Sequence, residues 1–259
     1  MYLVINMLKK KNRYKFAKTQ EYLLNRFKRI GSRHFESKFT LDQYKWLYKK
    51  TIQYASTDSP CLDWGCGHGH FSLFLQENDF LDIYGCAFDY PLLLDALSEK
   101  KFSFLKLDEA NPNKINFNDE MFASVFSVGV LEHVRETNGN EILCLKEINR
   151  ILKKDGLFIC AHFPRKISWI EFLTKFIPGK RGHKYLYNKR DISKFLSESN
   201  FTLIELKSYG IIPRNSFSGK LSIIGNFKFT RLFLNIFDAA LSFLLPQFTQ
   251  NYGFVCRKN

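Results

Sequence analysis

Between Cys61 and Phe71 the chain reads Cys-Leu-Asp-Trp-Gly-Cys-Gly-His-Gly-His-Phe, and this order constrains the fold more than any other stretch. An apolar run ends in an acid, three glycines follow at alternate positions, and Phe71-Ser-Leu-Phe-Leu75 restarts the apolar pattern. The first part has the composition of a buried strand and the last part that of a helix. Gly65, Gly67 and Gly69 permit a turn between them that side chains would obstruct, and they let a ligand approach the backbone. The amides at the start of the following helix favour an electron-rich partner. A strand–turn–helix unit of this kind needs a sheet around it.

The rest of the chain supplies one. Strands are expected near 60–64, 82–88, 102–106, 122–128 and 156–162, separated by helices near 70–77, 91–99 and 139–152. Such alternation implies a mostly parallel sheet with helical crossovers. Before it, Leu41 to Ala55 has helical spacing. After it, Phe163 to Arg190 is irregular, aromatic and basic; a helix near 190–199 and strands at 201–206 and 252–256 close the pattern. Leu232 to Leu245 is nearly all apolar, with Asn235, Asp238 and Ser242 as a narrow polar stripe. At about fourteen residues it is too short to span a bilayer. It is expected to pack into the protein, with a lipid-surface helix as the rival reading.

Charge is distributed unevenly. The formal net charge is +14, and the first sixty residues hold fourteen Lys/Arg against four Asp/Glu. We therefore divide the chain into a basic, aromatic-rich extension over 1–40 and a catalytic domain over 41–259, with 163–190 and 210–250 as substrate-side cover. The leader's basic residues alternate with Tyr14, Phe16, Tyr22, Leu23, Leu24 and Phe27. Such a segment suits an anionic lipid or nucleic-acid surface, or packs its aromatics on the domain. No long apolar run follows the basic residues, so a secretory signal is not expected. The six cysteines show no metal-ligand spacing and read as buried, reduced thiols.

In an open α/β sheet the ligand lies beyond the carboxyl ends of the strands. The second strand runs into Gly85-Cys-Ala-Phe-Asp89, about twenty residues past the turn, where a carboxylate can take both hydroxyls of a ribose. The third runs into Asp108 and Glu109. The fourth, read as Phe122 through Val134, delivers Glu132 and His133 to the same edge. A dinucleotide site wants a glycine three places after Gly67, yet Gly69 arrives one place early. Asp63 would also repel a pyrophosphate and attract a cation. The spacing disfavours a nicotinamide cofactor.

Taken together, Asp63-Trp-Gly65-Cys-Gly67-His-Gly69, the acids at 89 and 108, Leu-Glu-His-Val over 131–134 and Leu145–Leu157 resemble a class I S-adenosylmethionine-dependent methyltransferase. The likeness is greatest to the small-molecule group typified by ubiquinone and menaquinone methyltransferases. It implies a doubly wound, Rossmann-like, seven-stranded sheet, mostly parallel with the last strand antiparallel, and helices on both faces. It also implies S-adenosyl-L-methionine as cofactor and S-adenosyl-L-homocysteine as product. Asp63, Gly65, Cys66, Gly67 and Gly69 would hold the methionine part. Asp89 would take the ribose, Tyr90 would lie along the adenine, Asp108 with Glu109 would meet its amino group, and Ser127 and Val128 would present backbone near the sulfonium. His133 is the first candidate general base, followed by His162 and His183. Some quinone-type relatives carry an acid three places before the Glu-His pair. Here that place is Gly129, so no metal site is expected.

The function expected from this reading is methyl transfer to a small or lipid-linked acceptor, as O-methylation of a sugar, glycolipid or quinone-like phenol. An RNA methyltransferase is the first alternative, motivated by the basic leader but lacking an Asn/Asp-Pro-Pro-aromatic element after the fourth strand. A non-catalytic cofactor-binding or membrane-associated interaction protein is the second. The expected setting is the cytoplasm, with peripheral contact to an anionic membrane through the leader and 232–245, and nucleic acid disfavoured as a partner.

Overall fold

The computed structural model describes residues 21–25, 35–91, 94–98, 101–176 and 182–259. Seven strands build one sheet: β1 Cys61–Trp64, β2 Ile83–Ala87, β3 Phe102–Lys106, β4 Phe122–Val128, β5 Leu152–Pro164, β6 Phe201–Tyr209 and β7 Asn251–Lys258. Their order is β3-β2-β1-β4-β5-β7-β6. β7 enters between β5 and β6 and runs antiparallel to both, and the pairs from β3 to β5 are all parallel. The expected Rossmann-like sheet, with its one antiparallel last strand, is the fold observed.

Alternation along the strands divides the core between two faces. On one, Leu62, Val125, Phe158 and Phe254 meet Leu145 and Ile148 of the helix Glu141–Ile151 and Ile192 and Leu196 of the helix Lys189–Glu198. On the other, Cys61, Phe126, Ile159 and Val255 meet Leu47 of the helix Lys45–Tyr54 and Phe71, Phe74 and Leu75 of the helix His70–Glu77. Coverage on both sides explains why the central strands read as continuous apolar runs rather than alternating ones. All six cysteines are buried and free.

Several boundaries differ from expectation. The helix expected from Leu41 is two helices, Lys38–Asp42 and Lys45–Tyr54. Ser37 caps the first by accepting a hydrogen bond from the Thr40 amide at 3.2 Å, so the chosen division at residue 40 falls inside it. β4 spans Phe122–Val128, as the expected strand near 122–128 does, and the chain beyond it leaves the sheet. Gly129 takes a φ of +71°, and Leu131–Thr137 forms a 3₁₀ helix that carries Glu132 and His133 across the strand end. Of the basic leader, residues 21–25 are helical, with Leu23 and Leu24 buried beside Leu41 and Tyr44. Its other residues through 34 lie outside the described ones.

The largest departure is the helix Lys228–Leu244. It was expected to pack into the protein, yet none of its residues is buried. Phe229, Leu232, Phe233, Ile236, Phe237 and Phe243 are 44% to 83% exposed. The half-buried positions include Arg231, Asn235, Asp238 and Ser242, so much of the polar stripe faces the protein. Two demands of the body explain this orientation. Buried Asp42 needs a counter-charge, and Arg231 grips it through two hydrogen bonds of 2.6 Å while the Asn235 amide donates to it at 2.5 Å. The amides of Ile211 and Ile212 need an acceptor, and Asp238 provides it at 2.8 and 2.7 Å. Hydrogen bonding thus turns the apolar face outward.

Candidate active site

The glycine turn sits where β1 ends. Gly65 and Cys66 donate their amides to the Cys86 carbonyl at 2.8 and 3.0 Å, tying the turn to β2. Gly65, Gly67 and Gly69 all have positive φ, at +69°, +51° and +86°. A Cβ on Gly65 would fall 2.5 Å from a Val130 methyl, whereas one on Gly67 would meet no atom nearer than 3.9 Å. Gly65 is therefore fixed by its neighbour, and Gly67 leaves room above the turn. Gly69 precedes the helix His70–Glu77, whose first amides no side chain caps.

A cleft of about 520 Å³ opens over this turn. Trp64, Gly65, Gly67 and His68 form its floor, Ala87 to Tyr90 and Leu107 one wall, and Gly129, Val130, His133, Val134 and Thr137 the other. Of the sequence-predicted cofactor residues, Gly65, Gly67, Asp89 and Tyr90 line it directly. Tyr90 is 62% exposed, with its ring 5.2 Å from that of Phe104 and the Lys106 ammonium 5.8 Å from its centroid.

Other predicted residues stand behind or beside the cleft. Asp63 is buried, and its carboxylate accepts a hydrogen bond from the Ser72 hydroxyl at 2.7 Å. Burial pushes its pKa up to about 7, against the partial relief that Ser72 provides. Cys66 turns a buried thiol inward, leaving its backbone to the turn. Ser127 is likewise buried, and Val128 packs on the same core as Phe126. Asp108 spends its carboxylate on its own turn, accepting from the Asn111 amide group at 2.8 Å and the Ala110 N–H at 2.9 Å. Those bonds hold its pKa below the usual range. Glu109 beside it is exposed. Neither residue lines the cleft, which Leu107 and Pro112 close at that end.

The three candidate bases separate clearly. His133 lines the cleft and is 46% exposed at its side chain, with Nδ1 3.2 Å from Glu136 and Nε2 3.9 Å from Glu132. His183 reaches the same place from the covering segment, its ring centroid 5.7 Å from that of His133. His183 Nδ1 lies 2.6 Å from Glu171 Oε1, and its backbone amide donates to the other oxygen at 2.9 Å. Burial opposes a charged imidazole here, yet the Glu171 contact prevails and holds the pKa of His183 above its usual value. His162 is elsewhere. It is buried at the end of β5, its ring 4.7 Å from that of Tyr44, and it does not line the cleft. The cleft-lining roles of His68 and Thr137, and the Glu171 partner of His183, were not expected; Glu171 stands twelve residues from His183 in a segment without periodic pattern.

With this geometry in hand, comparison with known proteins is informative. Residues 62–160 match the sequence family described as a methyltransferase domain. No curated protein sequence matches the chain. Among solved structures, a SAM-dependent methyltransferase from Archaeoglobus fulgidus superposes with a TM-score of 0.57 at 18% identity, covering 92% of this chain and 99% of that one. A putative methyltransferase of Haloferax volcanii, solved with the Trm112 activator, gives 0.56 at 15% identity over 91% and 96%. Magnesium protoporphyrin IX methyltransferase from Synechocystis PCC 6803, solved with bound SAH, gives 0.54 at 14% identity over 84% and 83%. The chain has the Rossmann-like fold of the class I S-adenosylmethionine-dependent methyltransferases. Its segment 62–160 is the part similar to the methyltransferase-domain family.

Proposed function

We propose that this protein transfers a methyl group from S-adenosyl-L-methionine to a hydroxyl on a lipid-linked acceptor. The methyl-donor half of the reading rests on the match over 62–160 and on the cleft. The open space above Gly67 suits a ligand's close approach, and Asp89 and Tyr90 stand where a ribose and an adenine would lie. Asp63, below the turn, favours a cationic ligand once ionised. S-adenosylmethionine brings a methyl group already activated on sulfur, so the protein's own task is alignment and proton removal. Holding the two reactants in line can account for about 7–11 kcal/mol of the barrier.

In this reading the acceptor enters beside His133. Its oxygen forms a bond to the methyl carbon as the carbon–sulfur bond breaks, and the electron pair of that bond stays on sulfur. The hydroxyl proton passes to His133 Nε2, whose other nitrogen is steadied by Glu136.

The observation that carries the lipid-linked acceptor is the outward apolar face of Lys228–Leu244. A second exposed face is tied to it through Ile211. Trp169 donates its indole N–H to the Ile211 carbonyl at 2.8 Å, beside the amides held by Asp238. The helix Trp169–Thr174 also has no buried residue, and Phe172 and Phe176 are 60% and 69% exposed. The same helix supplies Glu171, which holds His183 at the cleft. A bilayer is the occupant we assign to this surface, because the chain's charge of +14 complements an anionic leaflet. Among the described residues no helix is long and apolar enough to cross a membrane.

Incubating the full chain with methyl-labelled donor and with separate lipid and water-soluble extracts tests the proposal. Label is expected in the lipid phase, in a product whose mass rises by one methyl group. Label confined to water-soluble metabolites or to RNA would reject the lipid-linked acceptor. Absence of both transfer and S-adenosylhomocysteine binding would reject the activity itself.

A further inference from the structure

At His133, on the cleft wall opposite Asp89, three groups from two separate elements come together. Glu132 and His133 come from the 3₁₀ helix after β4, and His183 comes from the covering segment. One ligand-capable atom of each lies within 4.8 Å of the others. Glu132 is only 2% exposed, yet its Oε2 has no hydrogen-bond partner. A buried carboxylate oxygen left without a donor is costly and calls for a counter-ion. We propose that Glu132, His133 and His183 form a binding site for one divalent transition-metal ion.

The outer contacts favour this assignment. His183 Nδ1 is held by Glu171 at 2.6 Å, and His133 Nδ1 lies 3.2 Å from Glu136. Each imidazole therefore has a carboxylate behind one nitrogen, leaving Nε2 as the ligand atom. Metal-bound histidines are oriented and made more basic in this way. Two imidazoles and one carboxylate suit Zn²⁺, Co²⁺ or Fe²⁺ better than Mg²⁺ or Ca²⁺, which prefer all-oxygen sets. The half-exposed histidines must close by a fraction of an ångström to roughly one ångström, because opposite ligands about 2.1 Å from a metal cannot stand further apart than ~4.2 Å. Arg214 opposes a cation here, since Glu132 and His183 both feel its charge. The carboxylates of Glu132, Glu136 and Glu171 outnumber it.

The proposed site would not need the acid that Gly129 replaces. The third ligand does not come from the strand end at all; it is delivered by His183, some fifty residues later. With an ion bound, His133 Nε2 is occupied and does not take the proton assigned to it above; if the acceptor is a hydroxyl, coordination would lower its proton affinity and its proton would leave to water instead. Metal binding itself does not depend on that reading.

Zn²⁺ titration by calorimetry, on full-length protein stripped of metal, is the test, with Co²⁺ visible absorption as a second readout. We expect one equivalent to bind. His183→Ala and Glu132→Gln should abolish this binding, and Glu171→Gln should weaken it about 10- to 100-fold. Circular dichroism and S-adenosylhomocysteine titration, done on each variant, report folding and the cofactor side separately. No stoichiometric binding by the folded protein overturns the proposal. Unchanged binding in both ligand variants overturns it too, because the ion is then held elsewhere. Methyl transfer that needs His133 without any bound metal leaves the imidazole as base and also rejects the ion. In each of these outcomes, retained S-adenosylhomocysteine binding keeps the methyltransferase reading intact.

Discussion

The cleft and the covering segments beside it are built by opposite means. On the cofactor side, residues 61–71 and 83–90 form one continuous device, in which strand, turn and helix follow each other and backbone hydrogen bonds fix the geometry. In the covering segments, groups far apart in the sequence are brought together. Asp42 anchors Arg231 and Asn235, Asp238 holds Ile211 and Ile212, and Glu171 holds His183. The first depends on backbone conformation and the second on a few polar side chains. Folding should therefore tolerate changes of polar chemistry but not of volume in the first, and the reverse in the second.

The hold on the covering segments is where one substitution should do most damage to stability. Asp42→Ala removes a fully buried side chain that Arg231, Asn235 and Lys45 all contact, and takes the carboxylate away from Arg231. Breaking a buried pair from one end costs about 3–5 kcal/mol. Chemical denaturation should show a loss of that order, and proteolysis should cut near 228–244 in the variant first. A wild-type profile would mean the outward helix is held by something other than this ion pair.

A comparable term sits beneath the cofactor side, but with a sign set by pH. Asp63 has an ordinary value of 3.8 and is raised to about 7 by burial. The folded state therefore binds its proton more tightly than the unfolded chain. Its contribution is fully present below about 3.8 and lost as pH rises to about 7, a change of a few kcal/mol at most. Asp63→Asn should flatten the dependence of stability on pH in that window and make the unliganded protein more stable at pH 8. It should also weaken S-adenosylmethionine binding at pH 8, where the ionised carboxylate favours the donor's positive charge. Unaltered pH dependence would show that Asp63 is already ionised in the fold.

These two sites also show what the sequence could convey. The turn, Asp89 and the strand order were legible because each is local: a glycine pattern, an acid at a strand end and an alternation of periods. Even there, Asp63 and Asp108 were recognised as acids without their partners, Ser72 and Asn111, whose hydrogen bonds turn both carboxylates away from the cleft. The covering segments were barely legible. The stripe at Asn235, Asp238 and Ser242 was visible, but its direction depends on Asp42, nearly two hundred residues away. His183 was picked out by type alone, because its meaning comes from Glu171 and from the 3₁₀ helix that follows β4.

Asp89 should give the next effect down in size. It is exposed, so its loss should leave stability within about ±0.5 kcal/mol of wild type. If it accepts both ribose hydroxyls, charged hydrogen bonds of about 1.5–3 kcal/mol disappear with it. Asp89→Ala should then raise the dissociation constant for S-adenosylhomocysteine by about 10- to 100-fold, read by calorimetry. Equal affinity in variant and wild type would remove the ribose from this wall.

The smallest effect on stability is expected where the most hydrophobic surface is removed. Phe233 and Phe237 stack on each other with centroids 5.8 Å apart, and both are exposed. In an ordinary core, two Phe→Ser changes would unfold a domain of this size. Here they should leave chemical denaturation unchanged within about ±0.5 kcal/mol, because neither ring is buried in the core. Flotation with vesicles containing an anionic phospholipid should respond instead, since each ring that enters the acyl boundary contributes about 1.5–3 kcal/mol to binding. The paired substitution should lower vesicle-bound protein by at least ten-fold while sedimentation shows a monomer before and after. A wild-type dimer that the substitutions dissociate would assign the face to a second copy of the chain. A clear loss of stability in the monomer would mean that these rings are covered by the protein itself, and the contrast between the cleft and the covering segments would then disappear.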